Sequence, residues 1–224
     1  MNNPIISLRN ITKTYKRQSG LLEVLRDINL DVNSGDFTAI LGESGSGKST
    51  LLNIIGMIDD MTSGEYLFNG EEVSGFSSDK KAKYRATKIG SIFQSYNLLY
   101  TMTAYENVEL PLGYLGMSKA ERHKKVLDCL DKVKLSDRIT HRPSSMSGGE
   151  QQRVSIARAM AVDFDVILAD EPTGNLDPKT TDEIMSILTQ LNDIGKTILL
   201  VTHDAHVASY CKNKLTVRNG TIDR

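Results

Sequence analysis

Phe37-Thr38-Ala39-Ile40-Leu41, followed at once by Gly42-Glu43-Ser44-Gly45-Ser46-Gly47-Lys48-Ser49-Thr50, decides the fold of this chain. The first five residues read as a short apolar strand. The glycines after it let the backbone curl with its N–H groups pointing inward. From Lys48 the pattern turns helical, through residue 58. A strand, a glycine-rich turn and a helix, with Gly-x-x-x-x-Gly-Lys-Ser in register, make a phosphate-binding loop. The turn amides and the positive end of the helix favour an anion. Lys48 supplies a cation to the β- and γ-phosphates, Ser49 offers a hydroxyl to Mg2+, and Thr50 is placed to contact the phosphates.

A second apolar strand, Val166-Ile167-Leu168-Ala169, ends in Asp170-Glu171. In an open parallel sheet, ligands bind at the C-terminal ends of strands. Asp170 is placed to hold Mg2+ through water, because that ion sheds its hydration reluctantly. Glu171 points elsewhere and suits polarising an attacking water. Taken alone, the pair reads equally as a solvated acidic turn; the phosphate loop tips the reading towards chemistry. Residues 197–201, fully apolar, lead into Thr202-His203-Asp204. His203 stands where it can sense a γ-phosphate, and spacing alone leaves that reading and a structural histidine both open.

The remaining pattern frames these motifs. Residues 5–8 and 12–15, and then Ile28, Leu30 and Val32, alternate as antiparallel β before a turn at Asn33-Ser34-Gly35-Asp36. Residues 65–69 and 89–93 are further strand candidates. Ser118 with Glu121 forms a capping box ahead of helically spaced Val126, Leu127, Leu130 and Val133. Helices are expected from Ser147 to Ala161 and over 179–193, and a closing hairpin turns at Asn219-Gly220. The fold class is α/β: a P-loop NTPase core with an N-terminal antiparallel β subdomain and an inserted helical subdomain at approximately 95–160. The whole, 1–224, reads as a single domain.

Composition narrows the function. The chain has 224 residues, 39% hydrophobic and 25% charged, with a formal net charge of −1. That balance lacks the basic surplus of a nucleic-acid binder, so no nucleic acid is expected as partner. The local run Lys80, Lys81, Lys83, Arg85 and Lys88 reads as a solvated loop or helix face. Cys129 and Cys211 show no zinc spacing and read as buried or half-buried thiols in a reducing compartment. Residues 1–8 lack a signal-peptide pattern, and no stretch is apolar and long enough to span a bilayer. The expectation is a cytosolic chain whose membrane role, if it has one, falls to a partner.

Met146-Ser147-Gly148-Gly149-Glu150-Gln151-Gln152-Arg153 is a second anion-suited helix start. One nucleotide does not need two such sites in one chain. With the phosphate loop, Asp170-Glu171 and His203, this segment resembles the signature motif of ABC transporter ATP-binding subunits, and the resemblance covers residues 5–222. It implies an active Mg-ATP hydrolase. Tyr15 resembles the aromatic residue that stacks on adenine, although a tyrosine after an alternating strand also packs at edges. Gln94 resembles the glutamine that contacts Mg2+ and water and links the helical subdomain to the site. Asn175-Leu176-Asp177 resembles the loop that crosses the dimer. In the family, Ser147, Gly148 and Gly149 face the γ-phosphate of ATP held by the other subunit.

The resemblance therefore implies an ATP-dependent homodimer at the cytoplasmic face of a membrane, gripping the cytoplasmic helices of an integral membrane permease. Ser-Gly-Gly-Glu-Gln-Gln-Arg with Glu171-Pro172-Thr173-Gly174-Asn175-Leu176-Asp177 looks most like the branch of lipoprotein-release, macrolide-export and antimicrobial-peptide-resistance ATPases, which favours export or extraction. Mechanotransmission on a membrane partner without translocation is the alternative. DNA-repair and translation members carry long heptad insertions or a second ATP domain, which this sequence lacks. Met146, Glu150, Met61 and Phe164 depart from the commonest pattern without touching the Ser-Gly-Gly core.

Overall fold

Residues 4–18 and 20–223 are described by the computed structural model; residues 1–3 and the far end of the expected 1–224 domain lie outside them. The alternating start forms β1 (Ile6–Arg17) and β2 (Gly20–Val32), a long antiparallel pair. Then come β3 (Phe37–Leu41) and α1 (Lys48–Ile55). This helix stops short of residue 58, because Gly56 caps it and Met57 takes a positive φ of 54°. β4 (Ser63–Phe68) and β5 (Glu71–Glu72) complete a four-stranded sheet in the order β2-β1-β4-β5.

The basic run folds as α2 (Ser78–Lys88), a helix with no buried residue. Lys80 pairs with Glu71 at 2.7 Å and Lys88 with Asp165 at 3.1 Å. Arg85 donates to the Met57 carbonyl at 2.7 Å. After β6 (Ile89–Phe93) come α3 (Ala104–Tyr114), α4 (Lys119–Lys132) and α5 (Gly148–Ala161). Capping boxes open α3 at Thr103, α4 at Ser118 and α5 at Ser147. β7 (Val166–Asp170), α6 (Pro178–Asp193), β8 (Thr197–Val201), α7 (Ala205–Ser209), β9 (Asn213–Arg218) and β10 (Thr221–Asp223) follow.

A six-stranded sheet runs β10-β9-β3-β8-β7-β6, parallel from β9 to β6, with β10 antiparallel at one edge. Its inner strands are apolar at nearly every position because both faces are covered. Ala39, Ile92, Ile167, Ala169, Ile198 and Leu200 enter a core shared with α3, α4, α5 and α6. Ile40, Ile89, Val166, Leu168, Leu199 and Val201 enter a second core with α1 and the antiparallel sheet. The helical stretch thus has no separate core; it is built down onto one face of the sheet. Both cysteines are free and buried, and burial pushes the Cys129 thiol up to about 11.

Candidate active site

Parallel order places β3, β8, β7 and β6 side by side, so their C-terminal ends deliver the phosphate loop, His203, Asp170-Glu171 and Gln94 along one edge. The loop is shaped by glycines that admit no side chain. Gly42 has φ 148°, and a Cβ there would lie 2.2 Å from the Val217 carbonyl oxygen. Gly47 has φ 107°, and a Cβ would meet Leu25 at 2.8 Å. Helix α1 then begins at Lys48 with no side-chain cap and no acid in its first turn. Every other α-helix among the described residues has a capping side chain: Ser77, Thr103, Ser118, Ser147, Asp177 or Asp204. The start of α1 therefore keeps free amides and an uncompensated positive dipole, which is what a phosphate chain requires.

Lys48 is only 7% exposed, and its ammonium donates to the carbonyls of Gly42 and Glu43 at 2.7 Å each. The buried Ser46 hydroxyl has no protein partner among the described residues. A cleft of ≈ 760 Å³ opens over the loop, walled by Tyr15, Leu22 and Val24 on one side and by Glu171 and His203 on another. Tyr15 lies at this wall with its hydroxyl donating to Asp59. Burial, reinforced by Asp59, raises its phenol above the ordinary value.

The Ser49 hydroxyl stands 3.4 Å from Asp170. Burial raises the Asp170 carboxyl above its ordinary value; the Ser49 hydrogen bond and the Lys48 charge pull the other way, while Glu171 adds to the rise. No group of three or more His, Cys, Asp or Glu side chains suited to a metal occurs among the described residues. One hydroxyl and one carboxylate fit Mg2+, which completes its shell with waters and substrate phosphates rather than a protein cage.

Glu171 adopts a left-handed φ of 45°, with its amide on the Val201 carbonyl at 3.0 Å. That twist turns it away from Asp170, and its carboxylate meets His203 Nδ1 at 3.0 Å. Gln94 Nε2 donates to Asn175 at 3.1 Å, and Asn175 returns a bond to the Gln94 carbonyl at 3.4 Å. Gly174 makes this meeting possible: a Cβ on it would lie 2.8 Å from Gln94 and 3.3 Å from Glu171.

The structure does not bring the other proposed phosphate-facing residues to this cleft. Ser147 is exposed and caps α5, its amide donating to Glu150 at 2.7 Å, and Glu150 is held by Arg138 at 2.9 Å. Ser147, Gly148, Gly149 and Asp177 are all absent from the cleft walls. Gly149 packs so closely on α6 that a Cβ would approach Thr180 Cγ2 to 2.4 Å. Asp177 is the cap of α6, accepting from the Thr180 amide at 3.1 Å and the Thr180 hydroxyl at 2.6 Å.

Several contacts escaped sequence reasoning. Buried Gln152 of α5 donates to the Pro172 carbonyl, next to Glu171, at 2.7 Å. Arg158, also on α5, donates to the carbonyls of Tyr96 and Asn97 at 3.1 and 2.6 Å, just past Gln94. Their only signal was position on the same predicted helix as the signature segment.

Residues 25–174 match the family model described as ABC transporter. The chain is 46% identical to the macrolide export ATP-binding/permease protein MacB of Wolinella succinogenes, across 99% of this chain but 34% of that protein. It spans about a third of the length of such relatives. It is also 46% identical to the ABC transporter ATP-binding protein MJ0796 of Methanocaldococcus jannaschii, covering 98% of this chain and 96% of that one. A dimeric post-hydrolysis structure of MJ0796 bound to ADP and Pi superposes with a TM-score of 0.91 at 44% identity, covering 98% and 97% of the two chains. Among the described residues, no helix is long and apolar enough to cross a membrane.

Proposed function

The chain belongs to the ABC transporter family, and from that premise we propose that it binds and hydrolyses Mg-ATP to power export or extraction through a membrane-embedded permease, acting as a homodimer on the cytoplasmic face. The observation that carries this reading is the row of four strand ends: phosphate loop, His203, Asp170-Glu171 and Gln94 on adjacent parallel strands. Tyr15 offers a ring to adenine. Residues 42–50 wrap the triphosphate, and Lys48 exchanges its two carbonyl partners for phosphate oxygens. Ser49, Asp170 and Gln94 would hold Mg2+, which would neutralise charge on the phosphates. Glu171 accepts a proton from the attacking water, oriented by the His203 contact at 3.0 Å. Catalysis on this plan is mainly positioning and electrostatics.

The placement of Ser147, Gly148 and Gly149 supports dimerisation. This helix start does not line its own chain's cleft, and its exposed end at Ser147, capped here by Glu150, is open to the γ-phosphate held by a second copy. Residues of approximately 95–160 would then move as the helical subdomain, with Asp177 at the crossing loop. The test uses a Glu171→Gln variant in its native cell, trapped with Mg-ATP, solubilised in detergent and sized. A dimer that brings down an integral membrane protein supports the whole reading. A monomer refutes the sandwich, and recovery of only soluble partners refutes the transport role.

A further inference from the structure

We infer that Asp59, locked by Lys13, is the positioning residue that presets the Tyr15 ring for the nucleotide base; this rests on the reading of Tyr15 as the base-stacking residue. Asp59 lies just beyond α1, 44 residues from Tyr15 in sequence. One carboxylate oxygen accepts from Lys13 Nζ at 2.6 Å and from the Asp60 amide at 2.8 Å. The other accepts the Tyr15 hydroxyl. Lys13 is 8% exposed, and its ammonium also reaches the Asp60 carbonyl. A cation so enclosed needs its partner, so the Lys13–Asp59 pair is a fixed point and not a surface ion pair free to wander.

The same ammonium sits 4.6 Å from the centroid of the Tyr15 ring. Lys13 and Tyr15 are two apart on β1, across an irregularity in its register, and both side chains reach the Asp59 carboxylate. The phenol is therefore restrained twice, at its hydroxyl by Asp59 and at its ring by Lys13, while the side chain still lines the cleft over the phosphate loop. A ring held in place before ligand arrives loses less freedom on binding, and that saving appears as affinity. Although burial pushes the Asp59 carboxyl up, hydrogen bonds from Lys13 and Tyr15 hold it below its ordinary value, so the lock is charged at neutral pH.

The experiment titrates a ribose-labelled fluorescent ATP analogue against Tyr15→Ala, Tyr15→Phe, Asp59→Ala, Asp59→Asn and the Tyr15→Phe/Asp59→Ala pair, with steady-state ATPase and a thermal melt for each. Asp59→Ala and Tyr15→Phe should each weaken binding by ~3- to 10-fold, chiefly in KM, with kcat within about twofold. The double variant should match Asp59→Ala, because Tyr15→Phe removes only the hydroxyl link that Asp59→Ala already removes. Asp59→Asn, which keeps an acceptor for the hydroxyl, should recover part of the loss. Tyr15→Ala should weaken binding by ~5- to 100-fold through loss of stacking. Wild-type affinity in Asp59→Ala and Tyr15→Phe, or additive losses in the pair, overturns the lock while stacking stands. Wild-type affinity in Tyr15→Ala overturns the stacking reading itself. If Asp59→Ala does not fold, Tyr15→Phe still decides, because it leaves the Lys13–Asp59 pair intact.

Discussion

On the proposed reading Glu171 is the residue on which the chemistry turns, and its backbone is as telling as its side chain. A glutamate at φ 45° is held there by the hydrogen bond its amide donates to the Val201 carbonyl and by the Gly174 amide on its own carbonyl at 3.1 Å. Glu171→Gln keeps the shape and removes the proton acceptor. Phosphate-release assays should show kcat lower by ~10²- to 10⁴-fold, the span of general-base contributions, with ATP affinity nearly unchanged. A variant turning over at the wild-type rate would remove Glu171 from that role. At this scale the sequence was readable where residues are contiguous: the phosphate loop stands out by order alone, and the Asp170-Glu171 pair only beside it. The partners of those residues were not. Asp59 meets Lys13 across 46 residues, and Asn175 meets Gln94 across 81, with no local pattern to pair them.

At the scale of elements, a tight constraint lies where α5 meets α6. Gly149 leaves room for Thr180 Cγ2 at a point where a methyl would sit 2.4 Å away. Gly149→Ala should therefore lower stability by ~1–3 kcal/mol through overpacking. Adding Thr180→Ser deletes that methyl, keeps the hydroxyl on Asp177, and should restore most of the loss in a denaturant titration. If the second change restores nothing, the clash is not the cause. Ser-Gly-Gly was legible as a helix start, and the Ser147–Glu150 capping box matches that. That its second glycine is also a packing requirement was invisible, because Thr180 arrives from a helix beyond β7. The end of α1 was misplaced for a related reason. Ile58 continued the apolar pattern, but Gly56 and the left-handed Met57 break the helix first.

Seen whole, the molecule has two polar ties from α5 that fall beside the site. Gln152 reaches the carbonyl of Pro172, next to Glu171, and Arg158 grips the chain just past Gln94. Any tilt of α5 must pull on both. The class of fold was readable from apolar strands alternating with helices, and the antiparallel start from its period of two. The sharing of one core by helices and sheet was not, since periodicity says which face is buried and never against what. One feature spans this whole architecture: among the described residues, α1 alone of the α-helices begins without a side chain of its own over its amides. Its first turn is finished by whatever anion it holds. In hydrogen–deuterium exchange, the amides of residues 47–50 should trade protons sooner than those opening the capped helices, then become the most strongly protected on addition of Mg-ATP. Equal exchange with and without nucleotide would contradict this. On the proposed reading the substrate is, for that one turn, a structural component that leaves with every cycle.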